Sequence, residues 1–313
     1  MNARTWFITG AASGFGYHLT TQLMSRGDRV IATDLRPGPL AVLGDRYPDQ
    51  LSVATLDVTD AAAIRAVTAD AFTATGRIDV IVSNAGFGVL GAAEELSDEM
   101  LHRQIDVNLI GAIQLTRAVV PRLRAQGGGR IVQMSSSGGQ VPDPGMSLYN
   151  ATKFGLEGFF ESLAIEVAPF GIAVTLIEPG GARTSFNDNL VLATPIADYQ
   201  TGIVGQIRGM LAGADPEVVR QAITGDPAKM AEAIIEAAGQ SPARRRVVLG
   251  SNAHQAITAA LRERLADIEA QRERAYRTDG DDIIAARTLT PATDASRRPA
   301  SPGRNNSGSR LLE

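Results

Sequence analysis

The sequence predicts an α/β fold, in which a single doubly wound domain has a seven-stranded parallel sheet flanked by helices. Short apolar runs alternate with stretches of helical periodicity over residues 4–275, a pattern typical of parallel strands joined by right-handed crossovers. A glycine-rich turn follows the first apolar run, where a helix is expected to begin. The 313 residues suffice for one large α/β domain or two small ones, and we find no internal repeat.

Seven short runs, rich in apolar and β-branched residues, are expected to form the strands. They are residues 4–9, 29–34, 51–56, 78–83, 130–135, 172–177 and 246–249. Helices are expected between and after them, where apolar residues recur at helical spacing. The first follows the stretch GAASGFG and runs to about residue 26, and the others cover 60–75 with Asp60 as N-cap, 98–123, 147–168, 226–239 and 253–275.

Composition limits the classes of function. Apolar residues make up 44% of the chain and charged residues 20%, as in ordinary soluble proteins. A net charge of −4 gives no electrostatic basis for binding nucleic acid or an anionic membrane. Without cysteine, and with three scattered histidines, no metal site is expected. Because we find neither a signal peptide nor an 18-residue apolar run, we expect a cytoplasmic protein.

The glycine-rich turn predicts a Rossmann-type dinucleotide site. The stretch TGAASGFG lies between the first strand and the first helix and contains Gly10, Ser13, Gly14, Phe15 and Gly16. Glycines allow a tight turn and let the backbone approach a phosphate, while the helix N-terminus presents free N–H groups and a positive dipole end. The strand–turn–helix context is the one that such a site requires, although glycine-rich turns also serve purely structural ends.

Acidic residues end the second and third strands. A carboxylate at Asp34 can accept hydrogen bonds from the adenosine ribose and would repel a 2′-phosphate, which favours NAD over NADP. Arg36 keeps NADP open, because a guanidinium can pair with that phosphate. Asp57 and Val58 would lie near the adenine, unless Asp57 serves only as a turn residue.

A tyrosine and a lysine lie four residues apart at the start of a predicted helix, so Tyr149 and Lys153 would share one face. A fixed cation beside a phenol favours the phenolate, so we expect the pKa of Tyr149 to fall from about 10 toward neutrality. Tyr149 could then exchange a proton with an alcohol or carbonyl oxygen, to which Ser136 could also hydrogen-bond. The alternative is a half-buried aromatic beside a solvated surface charge.

With these residues, the chain resembles the short-chain dehydrogenase/reductase family from residue 4 to about 275. One motif alone is a weak signal, but five in order, each at its expected strand end, are specific. Beyond the turn and the Tyr-x-x-x-Lys pair, the motifs are Asn84-Ala85-Gly86, Asn108 in DVNL, and Pro179-Gly180. Stretches such as NAGFGVLGAAEE and IEPGGARTSF are similar to the 17β-hydroxysteroid-dehydrogenase-like branch.

The resemblance implies an NAD(P)-dependent oxidoreductase that interconverts secondary alcohols and ketones. The resemblance also implies that Tyr149 is the general acid/base and that Ser136 orients the substrate oxygen. Lys153 lowers the pKa of Tyr149 and holds the nicotinamide ribose, and Asn108 supports a proton relay behind Lys153. Further cofactor contacts are implied for Asn84, Ala85, Gly86, Pro179, Gly180 and Thr184, where Thr184 would reach the nicotinamide carboxamide or the phosphates unless it caps a helix. A homodimer or homotetramer is also implied.

The variable segment 185–212 is expected to form a mobile lid over an apolar alcohol or ketone. Its apolar residues would face other walls near the strand ends, with three glycines as hinges; packing as a surface helix or a subunit contact is the alternative. The walls are Phe87, Val89, Leu90, Val141, Pro142 and Met146, and the glycines are Gly202, Gly205 and Gly209. Residues 1–275 would form the NAD(P)-binding domain, and residues 276–313 a disordered tail.

Two other functions stay open. One is an NADP-dependent biosynthetic ketoreductase, which differs in cofactor and direction. The other is a nucleotide-sensing or scaffold protein that keeps the fold without turnover. The intact set of Asn108, Ser136, Tyr149 and Lys153 favours an enzyme, but steroid-like, aryl and aliphatic substrates are not distinguished.

Overall fold

A computed structural model describes residues 3–186, 189–213 and 223–281 of the chain. Nine strands are seen in these ranges. They are β1 (Thr5–Thr9), β2 (Arg29–Asp34), β3 (Leu51–Thr55), β4 (Val80–Ser83), β5 (Val89–Leu90), β6 (Gly129–Met134), β7 (Ile172–Pro179), β8 (Val191–Leu192) and β9 (Arg246–Leu249). Seven of them form one parallel sheet in the order β3-β2-β1-β4-β6-β7-β9, which confirms the predicted fold class.

Helices cover both faces of this sheet. Their bounds are α1 (Gly14–Ser25), α2 (Ala41–Arg46), α3 (Ala61–Thr75), α4 (Asp98–Ile105), α5 (Gly111–Ala125), α6 (Ser147–Val167), α7 (Ile203–Gly213), α8 (Pro227–Gly239), α9 (Ser251–Ala270) and α10 (Arg272–Tyr276). Asp60 caps α3 as predicted, since its carboxylate accepts from the backbone N–H of Ala62 and Ala63. Asp226 caps α8 in the same way.

The middle of strand β1 is apolar on both of its faces because both faces are buried. In β1, Trp6 and Ile8 belong to a core cluster that includes residues of α1 and α8, whereas Phe7 between them belongs to a second cluster with residues of α3, α5 and α6. All three side chains are fully buried. Successive side chains of a strand point to opposite faces, so a strand covered on both sides needs apolar residues at every position.

The long helix predicted over residues 98–123 contains an interruption. A π-helical segment, Asp106–Ile110, lies between α4 and α5. Such segments are frequent at functional sites, and this one places Asn108 in the interior, where it is almost fully buried.

The chain divides into two compact units, Met1–Leu261 and Arg262–Glu313. The described part of the second unit, residues 262–281, contains the end of α9 and α10. The predicted tail falls largely on residues 282–313, which lie outside the described ranges, so its disorder stays a prediction. No helix within residues 3–186, 189–213 and 223–281 is long and apolar enough to cross a membrane.

Candidate active site

The strand order reverses between β1 and β4, and the carboxyl ends of these two strands carry the glycine turn and Asn84. Ligands of open α/β sheets bind in the crevice at such a point. Asn84 holds the turn, because its Nδ2 donates to the carbonyl oxygens of Thr9 and Gly10, each at 2.9 Å. The hydroxyl oxygen of Thr9 accepts in return from the backbone N–H of Asn84 and Ala85, at 3.0 and 3.2 Å.

The turn requires glycine at two positions. Gly10 has φ of +65°, a conformation that favours glycine. A Cβ on Gly16 would overlap the carbonyl oxygen of Gly10 and lie 2.8 Å from Cα of Ala11 and 2.9 Å from Nδ2 of Asn84. The first turn of α1 therefore packs directly against the loop that precedes it.

Asp34 ties the end of β2 to the glycine turn. Its Oδ2 accepts from the backbone N–H of Ala12 at 3.0 Å, and its Oδ1 from that of Arg36 at 2.9 Å. Asp57 is a turn residue, as one alternative predicted, since its Oδ1 accepts from the backbone N–H and hydroxyl of Thr59 at 2.9 and 2.7 Å. Asp57 and Asp34 both line one cavity of the protein.

One cavity of about 680 Å³ extends from the glycine turn to Tyr149. The structure brings nearly all predicted site residues to its wall. These are Gly10, Ser13, Gly14, Phe15, Asp34, Arg36, Asp57, Val58, Asn84, Ala85, Gly86, Ser136, Tyr149, Lys153, Pro179, Gly180 and Thr184. Gly16 and Asn108 are the exceptions, and both lie behind residues that do form the wall.

At the inner end of the cavity, three predicted catalytic side chains meet. The side chains of Tyr149 and Ser136 lie on either side of Gly138, where an added Cβ would be 3.4 Å from Cε1 of Tyr149 and from Oγ of Ser136. Oγ of Ser136 accepts from the backbone N–H of Gly138 at 3.0 Å. Nζ of Lys153 lies 5.5 Å from the centroid of the Tyr149 ring and donates to the carbonyl oxygen of Met134 at 2.9 Å. A substrate oxygen placed between Tyr149 and Ser136 would be within reach of both hydroxyls.

The expected lowering of the Tyr149 pKa is wrong for this structure. Part of the Tyr149 side chain is open to the cavity. Even so, burial raises the pKa of the Tyr149 hydroxyl to about 12. Hydrogen bonding by Ser136 acts to lower this pKa, and the charge of Asp143 acts to raise it. Burial also lowers the pKa of Lys153 to about 8, against the opposing charge of Glu157. The cost of removing a phenolate from water thus outweighs the neighbouring cation.

Asn108 is fixed by the loop after β4. Its Oδ1 accepts from the backbone N–H of Phe87 at 3.0 Å, and its Nδ2 donates to the carbonyl oxygen of Phe87 at 2.8 Å. A longer contact of 3.4 Å reaches the hydroxyl of Thr152, next to Lys153. The side-chain amide therefore positions Phe87, a wall of the cavity, and the relay role implied by resemblance stays a prediction.

The predicted lid is attached to the loop after β4 by a second, two-stranded sheet. In it, Val89 and Leu90 of β5 pair in parallel with Val191 and Leu192 of β8. The sequence predicts Val89 and Leu90 as walls of the cavity, but both are buried in this pairing and do not face the cavity. Gly205, predicted as a hinge, packs so closely on the backbone of Gln200 that a side chain would overlap it.

A buried carboxylate fastens the lid at a second point. Oε2 of Glu95 accepts from Nη2 of Arg208 on α7 at 2.7 Å, and its Oε1 from the backbone N–H of Ile196 at 2.9 Å. The Glu95 side chain is fully buried and that of Arg208 is 14% exposed. The hydrogen bond from Arg208 lowers the pKa of Glu95 to about 2. The ionised Glu95 side chain therefore stabilises the fold fully above its ordinary pKa, and this stabilisation is lost as the pH falls through about 2.

Glu95→Gln is expected to loosen the lid. Loss of a hydrogen bond between charged groups costs about 1.5–3 kcal/mol, equivalent to a roughly tenfold to hundredfold larger open population. Hydrogen exchange in residues 189–213 should become faster by that factor. The matched control is Glu94→Gln, because Glu94 accepts from the exposed Tyr199 hydroxyl at 3.1 Å. Equal exchange rates in the two variants would contradict this role of Glu95.

Sequence reasoning missed several residues of the cavity wall. Phe87 and Met146 were named, but Arg103, Val107 and Asp143 were not, and all five face the cavity. From the lid, Phe186 and Val191 reach the cavity; the ring centroid of Phe186 lies 5.6 Å from that of Tyr149. For Asp143, the sequence Asp-Pro-Gly indicated a turn, yet nothing local indicated that this turn borders the cavity.

Comparisons with known proteins agree with this geometry. The family model described as short chain dehydrogenase matches residues 4–194. 17-beta-hydroxysteroid dehydrogenase type 1 of Mus musculus is 38% identical over 240 residues, which cover 71% of this chain and 69% of that protein.

Two solved structures extend the likeness beyond the matched family region. A short-chain dehydrogenase from Streptomyces avermitilis, 37% identical, superposes with a TM-score of 0.81 over 89% of this chain and 100% of that one. A short chain dehydrogenase/reductase from Burkholderia phymatum, in complex with NAD, is 25% identical with a TM-score of 0.71, over 86% of this chain and 95% of that one.

Proposed function

The chain belongs to the short-chain dehydrogenase family, and from that premise we propose that it interconverts an apolar secondary alcohol and a ketone, with Tyr149 as general acid/base. Its family makes it an oxidoreductase that uses NAD or NADP. The observation that carries the proposal is that Tyr149, Ser136 and Lys153 face one end of a cavity whose other end is the glycine turn.

The residues present fit a dinucleotide. The backbone of the glycine turn and the N-terminus of α1 form a cradle, and Ser13, the N-cap residue, makes no side-chain cap hydrogen bond there. Thr184 lies over this cradle, since its Cβ would be 3.6 Å from a Cβ on Gly14. Asp34, which is hydrogen-bonded to the glycine turn, and Asp57 also line the cavity. When bound, the nicotinamide cofactor accepts or supplies the hydride.

The protein's own groups would handle the proton. In ketone reduction, the Tyr149 hydroxyl donates its proton to the carbonyl oxygen while Ser136 hydrogen-bonds the same atom. The raised pKa of Tyr149 keeps this phenol protonated at neutral pH, so the residue is ready as an acid. In alcohol oxidation the same oxygen would first have to lose its proton. Lys153, held by the carbonyl of Met134, places a positive charge behind the ring.

The wall near Tyr149 supports an apolar substrate. Phe87, Val107, Met146, Phe186 and Val191 contribute apolar surface there. Arg208, the lid's basic residue, is occupied by Glu95, which leaves it unsuited to binding a phosphate group. A steroid-like, aryl or aliphatic alcohol therefore fits better than a phosphorylated one.

Absorbance at 340 nm with steroid, aryl and aliphatic alcohols and ketones tests the proposal. We expect turnover of at least one apolar class with NAD(H). If NADH binds but no alcohol or ketone of the panel is converted, a nucleotide-sensing role replaces the enzyme.

Asp34→Asn is expected to change the choice of cofactor. The single oxygen of the amide can keep one of the two hydrogen bonds, from the N–H of Ala12 or of Arg36, and the change removes the charge that would repel a 2′-phosphate. The ratio of NAD to NADP affinity, measured by titration, should fall about tenfold or more, equivalent to at least roughly 1.4 kcal/mol. If the wild type binds NADP more tightly than NAD, the preference for NAD is wrong.

Ketone reduction is expected to lose rate above a pH of about 8. Lys153 carries its charge below its lowered pKa of about 8 and loses it above, whereas Tyr149 stays protonated up to about 12. The value of kcat/KM for reduction should therefore be level below about 8 and decrease above it, while that for oxidation should increase with pH on the acid side. A reduction profile that is flat to pH 10 would exclude a required Lys153 ammonium.

A further inference from the structure

A buried polar cluster outside the cavity joins three elements of the site. Nε of Arg246 on β9 donates to Oε2 of Glu157 at 2.9 Å. The guanidinium also pairs with Glu178, whose Oε1 lies 2.9 Å from Nε. Nε2 of Gln140 reaches the same two carboxylate oxygens at 3.3 Å. Arg246 also pairs with Glu161 at the cluster's outer edge. None of these residues belongs to the cavity wall.

Three members of the cluster, Glu178, Glu157 and Gln140, lie within four positions of a residue of the proposed site. Glu178 directly precedes Pro179 and Gly180, and Glu157 lies one helical turn after Lys153 on α6. Gln140 directly follows the short helical turn Ser137–Gly139, which begins after Ser136. A single guanidinium thus connects, through carboxylates and an amide, the Ser136 loop, the Lys153 helix and the turn after β7.

The charges of the cluster are unusual for a protein interior. The Glu178 side chain is 1% exposed and that of Glu157 6%, and two buried carboxylates share one guanidinium. Burial raises the pKa of Glu178, and the charge of Glu157 raises it further. The second oxygen of Glu157, Oε1, is buried and has no hydrogen-bond partner within the described residues. Part of the Glu157 charge is therefore not neutralised locally by hydrogen bonding.

Lys153 is a buried cation on the same face of α6 as Glu157. Its ammonium makes one hydrogen bond, to Met134, and the charge of Glu157 opposes the effect of burial on it. The titratable and charged groups around Lys153 and the cluster are Tyr149, Glu157 and Glu161 on α6, Glu178 on β7, Arg246 on β9 and Asp143 at the cavity.

We infer that Glu157 is a positioning residue for the reaction: held in place by Arg246 and Gln140, it sets a buried negative charge one helical turn after Lys153. Arg246 serves the same end by holding Glu157 and Glu178 together. The inference rests on the proposed function of Lys153, and it assigns a role in the reaction to residues outside the cavity.

The test compares pH profiles of ketone reduction in the wild type and in Glu157→Gln. Loss of a close opposite charge shifts a pKa by about one unit or more, so the midpoint of the alkaline decrease should move to lower pH by about that amount. Glu157→Asp should restore most of the shift. Glu166→Gln, an exposed residue on the same helix, is the matched control and should leave the midpoint in place.

The inference would be overturned if Glu157→Gln lowered kcat at every pH and left the midpoint of the alkaline decrease unchanged. That result would indicate that Glu157 has a structural role alone. If Glu157→Gln does not fold, Arg246→Gln is measured in the same way. Because this change removes a positive charge from beside Glu157, the midpoint should move to higher pH, and an unchanged midpoint would overturn the inference. If the wild type converts no ketone, the proposed function fails separately. In that case the pH dependence of NADH binding, followed by fluorescence, still decides whether Glu157→Gln shifts the Lys153 titration.

Discussion

Tyr149→Phe is expected to lower kcat by two or more orders of magnitude, about the contribution of a positioned acid/base group. The hydroxyl that would exchange the proton would be missing, while the ring and its contact with Phe186 would remain. Affinity for NAD(H) should be nearly unchanged, because the glycine turn and Asp34 are not touched. Steady-state kinetics together with NADH titration separates the two effects.

The control for this variant is Tyr47→Phe, which removes a phenolic hydroxyl that does not face the cavity. It should keep the wild-type rate. A Tyr149→Phe protein that retains a near-normal kcat would remove Tyr149 from the mechanism, and the proton would then have to be supplied by another group of the wall.

Gly16→Ala is expected to abolish measurable dinucleotide binding. The added methyl group would overlap the carbonyl oxygen of Gly10 and approach Asn84 to 2.9 Å, so the turn must move away from the helix that follows it. Overpacking of this kind costs about 1–3 kcal/mol or more. Thermal melts with and without NAD should show a lower Tm and no stabilisation by the cofactor.

Gly158→Ala on α6 is the matched control, because no atom lies within 4 Å of the added Cβ. Alanine in a helix interior is favoured over glycine by about 0.5–1 kcal/mol, so Tm should rise or stay level and NAD should still stabilise the protein. If Gly16→Ala is stabilised by NAD as much as the wild type, the turn does not hold the dinucleotide in the way described.

Much of the fold could be predicted because its signals are local. The continuous apolar run around Phe7 indicated a strand buried on both faces, and Asp60 marked the start of α3. The helix over residues 98–123 was predicted without its π-helical segment, because periodicity over a long window does not reveal one extra residue in a turn.

The candidate site was predictable to the same extent. Tyr149 and Lys153 are four residues apart on one helix, so their proximity is a local property. The pKa of Tyr149 was predicted in the wrong direction, because it depends on how much protein surrounds the hydroxyl. Burial is a property of the packed chain, and the residues around Tyr149 come from several strands and loops.

The sequence by itself therefore determined the class of fold, the glycine turn and most of the proposed catalytic and cofactor-binding residues. Only the tertiary structure decided how the lid is fastened and what surrounds Lys153. Glu95 and Arg208 are 113 positions apart, and Arg246 and Glu157 are 89 positions apart. Periodicity and short motifs describe neighbours within a few turns of chain, whereas these buried ion pairs form only when distant elements pack together and exclude water.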